Sequence, residues 1–183
     1  MRSIRTLTGP VVLSALLATT PELVLGQDAD GESPVEITCR ACRPGTEIQS
    51  DQLGEFLAKN LNVAFGTDMR PLSVALRVEL ISRERGVIGK YESKAVKVEG
   101  GKTYPCVKYF CRADEMNEAL APGFGDRRKI TVTGSGERLI SDHNPIWEGR
   151  QCEGATHAIR VSVGWEGQAV VDSPLYVCFS SEE

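Results

Sequence analysis

Few side chains in this sequence are suited to moving protons. His143 and His157 are its only histidines, and histidine alone has an ordinary pKa near neutral pH. Six cysteines, Cys39, Cys42, Cys106, Cys111, Cys152 and Cys178, offer either disulfides or thiolate chemistry. The Cys39-Arg40-Ala41-Cys42 spacing fits half a zinc site or a redox pair. No second CxxC and no HxxxH pattern accompanies it, so a structural role is favoured and neither metal nor cofactor is expected. Arg127-Arg128-Lys129 is the one uninterrupted basic run. A solvated strand edge accounts for such a run better than a phosphate site does.

The chain around these residues has 183 positions, 41% of them hydrophobic and 25% charged, which suits one globular core. Its 21 basic and 25 acidic residues give a net charge of -4. That disfavours a broadly basic nucleic-acid binder, and any RNA or DNA site would have to be local. Arg2 and Arg5 precede an apolar stretch from Val11 to Leu17, and Val24-Leu25-Gly26 forms a small-residue exit. Residues 1–26 therefore read as a secretory signal peptide and 27–183 as a single secreted, extracellular domain. Thr19, Thr20, Pro21 and Glu22 interrupt the apolar run before the roughly 20 residues a bilayer requires, so no membrane anchor is expected. All six cysteines lie in the secreted part, and an even count in an oxidising compartment predicts three disulfides. Spacing alone selects no pairing. A bridge from Cys39 or Cys42 to Cys178 is expected, because it would join the two ends of the domain.

The elements that must position these residues begin with a short strand at Val35–Cys39. A helix follows near Asp51–Asn62, with Ser50 as its N-cap and Leu53, Phe56, Leu57 and Leu61 at helical spacing. From Leu72 the period changes to two, with Val74, Leu76, Val78 and Leu80 alternating with Ala75, Arg77, Glu79 and Ile81. Further strands are predicted near 93–98, 103–110, 129–133, 158–165, 168–171 and 175–179. Turns are predicted at Gly100-Gly101 and Gly134-Ser135-Gly136. Residues 113–128 read as a surface loop with one turn of helix. One early helix followed by many short strands gives the class α+β, one helix packed on an antiparallel sheet.

Two stretches carry a resemblance. Tyr104-Pro105 followed by Lys108-Tyr109 is similar to the Tyr-Pro-His-Lys-Tyr strand of the small secreted guanyl-specific ribonucleases of fungi and their catalytically decayed effector relatives. Asn144-Pro145-Ile146, then Gly154-Ala155 and Arg160-Val161, resembles the family's Glu-Trp-Pro-Ile, Gly-Ala and Arg-Val succession. The turn Glu166-Gly167-Gln168 before Ala169-Val170-Val171 is also similar. The resemblance spans about Tyr104 to Val171, and Tyr91 is a second match for the family tyrosine. The chain departs from the family by a long stretch between the helix and Tyr104.

The resemblance implies a microbial ribonuclease-like domain, and it also implies what is missing. Cutting RNA through its 2′-hydroxyl needs a base, an acid and a cation on the phosphate. Here Cys106 stands where the family has a histidine, His143 matches its glutamate and Arg160 its arginine. No histidine follows His157, so the family's general acid has no counterpart near Asp172 to Leu175. No residue is therefore assigned a catalytic role. Tyr104, His143 and Arg160 are the candidate substrate-binding residues, with Trp147 and Trp165 as further platforms or core plugs.

Three functions remain open at this point. The first is a secreted, noncatalytic ribonuclease-like virulence effector, monomeric, that binds a host protein or RNA. The second is an active endoribonuclease with a rearranged site of Tyr104, Glu137, His143 and Arg160. The third is an unrelated disulfide-stapled inhibitor or carbohydrate binder.

Overall fold

The computed structural model describes residues 34–137, 147, 152–165 and 174–181, all within one compact unit, Gly31–Glu183. Strand β4 (Leu72–Ser82) is its central element. Val74, Leu76, Val78 and Leu80 are fully buried on one face, while the intervening residues are half-buried or exposed on the other. The same alternation runs through β9 (His157–Trp165) and β10 (Leu175–Ser181), which bury Ile159, Val161, Val163, Leu175, Val177 and Phe179. With β2 (Glu47–Gln49), β5 (Gly86–Glu92) and β8 (Lys129–Glu137) they form a seven-stranded sheet in the order β2-β8-β10-β9-β4-β5. β6 (Val96–Val98) is its seventh strand, also paired with β4. A second sheet has the order β1-β3-β7, from Val35–Cys39, Leu61–Phe65 and Thr103–Pro105. Every pairing among the described strands is antiparallel.

The α+β class holds, but the single helix does not. Helix α1 (Leu53–Asn60) is joined by α2 (Cys106–Tyr109) and α3 (Ala113–Leu120). Ser50 does not cap α1. It lies buried in a 3-10 turn, and its hydroxyl accepts the Arg128 N–H at 3.0 Å. Leu61 leaves the helix and starts β3, where Leu61, Val63 and Phe65 alternate inward. The 103–110 strand is cut after Pro105, which has no N–H to continue a ladder. The following turn of helix is closed by Cys106–Cys111 and by the Phe110 N–H donating to the Cys106 carbonyl at 2.8 Å. Residues 113–120 form two turns of helix because Met116 and Leu120 recur at helical spacing and both are fully buried. Gly101 makes a turn at φ 72 as expected, whereas Gly134-Ser135-Gly136 lies inside β8. The predicted strand at 168–171 lies outside the described residues.

All buried apolar residues of α1, α3, the small sheet and the inward face of the large sheet merge into one core. The outward face carries a smaller cluster of Cys152, Ala155, Ala158 and Cys178, with Trp147 against it. The disulfides are Cys39–Cys42, Cys106–Cys111 and Cys152–Cys178. The expected staple from Cys39 or Cys42 to Cys178 is absent. Cys39 ends β1 beside Leu61 in the small sheet, while Cys178 faces outward from the large one, so the sheet itself separates them.

Candidate functional site

Tyr104 lies in β7 and is 8% exposed. Phe65, Tyr109 and Phe110 meet its ring edge-on at centroid distances of 5.6, 5.0 and 6.4 Å. Its hydroxyl accepts the Glu99 N–H at 2.9 Å and so closes the turn between β6 and β7. Both the face and the polar tip of the ring are thereby engaged. A base has no open platform to stack on. Tyr91, the second match, is also buried, and its hydroxyl donates to the Phe110 carbonyl at 2.8 Å and accepts the Arg112 N–H at 3.1 Å. Burial pushes its pKa up.

Arg160 projects from the outward face of β9, between Glu79 of β4 and Tyr176 of β10. Its guanidinium is ion-paired with Glu79, through both Nε and a terminal nitrogen. Lys90 approaches the same carboxylate at 3.5 Å. Burial by itself would raise the Glu79 pKa, but the Arg160 hydrogen bonds and charge, followed by those of Lys90, hold it below the ordinary value. The charge of Arg160 is thus matched at its root.

Tyr104 belongs to the core on one face of the large sheet and Arg160 to the opposite face, so the structure does not bring them together. His143 and the side chain of Glu137 lie outside the described residues. Trp165 packs against the main core and Trp147 against the outward cluster. Cys39 and Cys42 are bonded to each other, a state in which neither ligates a metal. Of the basic run, Arg127 pairs with Asp51 at 2.8 Å and Lys129 with Glu47 at 2.6 Å.

A different place has the geometry of a binding site. The Thr46 carbonyl accepts the Val132 N–H, and the Ser50 N–H donates to the Arg128 carbonyl, both at 2.8 Å. Alternation along an antiparallel ladder then directs the main-chain groups of Ile48 toward Ile130, and those of Glu47 and Gln49 away from β8. β2 is the end strand of its sheet. Glu47, Ile48 and Gln49 line a cleft of about 530 Å³ whose other wall is Gln52 of the 3-10 turn and Glu55, Phe56 and Lys59 of α1. The charges along this cleft are mutually compensated, Lys59 by Glu55 at 2.7 Å and Lys129 by Glu47. Sequence reasoning missed this edge because a three-residue strand is too short to show a period.

No family model matches this chain. Neither a curated protein nor a solved structure matches it.

Proposed function

We propose that the chain is a secreted, noncatalytic binding module that takes an extended segment of another protein as an added strand on β2. The carrying observation is the pair of outward-facing residues Glu47 and Gln49 on a sheet edge that shares a cleft with a helix. Main-chain hydrogen bonds from such an edge supply affinity for any extended chain, and the flanking side chains supply selectivity. The ribonuclease-like scaffold, the effector role and a host protein as partner rest on the resemblance of Tyr104 to Val171. Burial of Tyr104 and pairing of Arg160 with Glu79 favour a protein partner over RNA.

The test is to pan a random peptide library against the folded protein, with Gln49→Pro for counter-selection. Proline at an outward position of an edge strand removes one donor but leaves the β2–β8 ladder intact, so stability should change by less than about 1 kcal/mol. Enriched peptides should bind the parent protein and lose at least roughly tenfold in affinity on Gln49→Pro, the equivalent of one main-chain hydrogen bond. Peptides that bind both proteins equally would place the partner elsewhere.

The noncatalytic part of the reading is tested separately. RNA incubated with the purified protein should remain uncut above a buffer control, since each missing acid-base group lowers the rate by about 10² to 10⁴. Cleavage abolished by His143→Ala would instead establish the rearranged endoribonuclease.

A further inference from the structure

The cleft between β2 and α1 also restricts what an added strand can carry, an inference that rests on the edge-strand reading above. Ile48 is 7% exposed and belongs to the main core, whereas Glu47 and Gln49 on either side of it are exposed. β2 thus turns the Ile48 side chain to the inward face of the sheet and those of Glu47 and Gln49 to the outward face. Helix α1 lies on the inward side, since its Leu53 and Leu57 share the core with that face. Phe56 of α1 is half-buried and packs against the same core. Ile48 from the strand and Phe56 from the helix are the apolar members of the cleft lining.

The rim of the cleft is charged but paired within itself. Lys129 meets Glu47 at 2.6 Å and Lys59 meets Glu55 at 2.7 Å. The Asn60 side-chain amide donates to the Phe56 carbonyl at 2.8 Å, back onto its own helix. A charged side chain arriving at this rim meets both signs in matched, exposed pairs, where one more ion contact contributes little. Directed inward instead, it would lose water beside Ile48 and Phe56. An apolar side chain gains by the same burial.

Main-chain geometry fixes which residue of the added strand is directed inward. The groups that face away from β8 belong to Glu47 and Gln49, so the two partner residues opposite these form the hydrogen bonds and the residue between them stands opposite Ile48. Residues directly opposite one another in an antiparallel pair point to the same face, with Cβ atoms about 4.5 to 5.5 Å apart. The central side chain therefore enters beside Ile48, on the side where Phe56 stands. Its two neighbours point to the outward face, beside Glu47 and Gln49.

We propose that the occupant of this cleft is an uncharged extended protein segment whose central residue, opposite Ile48, seats a large apolar side chain between Ile48 and Phe56. The residues on either side of it are not proline, because each must keep its N–H for Glu47 or Gln49. Threonine suits both, being uncharged and strand-favouring. Main-chain bonds hold any such segment, and the space between Ile48 and Phe56 selects among them. Affinity of this origin is nearly independent of salt, since it draws on no unpaired charge.

The experiment is an NMR titration of the isotope-labelled protein with blocked peptides Ser-Thr-Thr-X-Thr-Thr-Ser, X being Leu, Ala, Asp or Lys. The Leu peptide should shift the Glu47 and Gln49 amides and show cross-relaxation from its methyl groups to the Phe56 ring. It should bind about tenfold more tightly than the Ala peptide, and at least roughly tenfold more tightly than the Asp or Lys peptide. Its affinity should change by less than about twofold between low and physiological salt. Phe56→Ala should cut the preference for Leu over Ala to about threefold or less while leaving the Ala peptide within about twofold, and Phe56→Leu should keep most of the preference. The X series on the parent protein decides the matter even where Phe56→Ala fails to fold. Equal affinities for all four peptides, a preference for Asp or Lys, or a Leu preference that survives Phe56→Ala in full overturns the proposal. Where Gln49→Pro still weakens every peptide alike, the added strand on β2 stands without it. Peptides that leave the Glu47 and Gln49 amides unmoved overturn the edge-strand reading and the proposal together.

Discussion

Gly54→Ala should destabilise the protein although it replaces a helical glycine by the best helix former. Alanine inside a helix is worth about 1 kcal/mol more than glycine. Here, however, the added carbon would lie 2.5 Å from the Asn117 nitrogen and 2.8 Å from the Ala113 carbonyl oxygen. Both are backbone atoms of α3 and cannot rotate away. The Gly54 N–H also donates to the Asn117 side-chain carbonyl, a bond that separating the helices would break. Overpacking costs about 1 to 3 kcal/mol or more, and the lost bond about 1. The net expectation for alanine is a loss of about 2 kcal/mol, or a Tm lower by about 4 to 8 °C. Gly54→Val, larger and without the propensity gain, should lose about 4 kcal/mol. Thermal denaturation of both variants measures this, and a parental Tm for alanine would mean that α1 and α3 do not cross here.

The three disulfides should contribute unequally, in an order set by the loops they close. Cys152–Cys178 spans a sequence separation of 26, against 3 for Cys39–Cys42 and 5 for Cys106–Cys111. In the chain-entropy model the first is worth about 3.5 kcal/mol and each of the others about 2. A terminal staple closing more than about a hundred residues would have contributed nearer 5. Pairwise replacement by alanine followed by urea denaturation tests the order. Cys152→Ala with Cys178→Ala should lower stability most, more so because Cys178 is fully buried against Ala155 and Ala158. A greater loss on removing Cys39–Cys42 would contradict the ranking.

Long-period signals in the sequence translated directly into structure. Val74, Leu76, Val78 and Leu80 specify β4 because only a strand puts every second residue on one face. His157–Trp165 and Leu175–Ser181 follow the same rule. β3 and α3 escape a reading of the sequence, which runs the first helix on to Asn62 and makes 113–128 a loop with one turn of helix, although Leu61, Val63 and Phe65 alternate and Met116 and Leu120 recur at helical spacing. Their patterns are short, and each begins where another element ends. For the site the outcome differs. Tyr104 and Arg160 were selected by residue type and local neighbours, which do not say on which side of a sheet a side chain ends.

What the sequence by itself determined is therefore the class of the domain, its antiparallel strands and the chemistry it has available. Alternation and residue type are local properties, and each survives being read one segment at a time. The tertiary structure decided which cysteines meet, that Tyr104 closes a turn, that Glu79 neutralises Arg160, and that the Phe124 ring lies against His157. Each of these joins residues from separate strands or loops. Register and crossover order set such distances, and both are products of how the whole core packs.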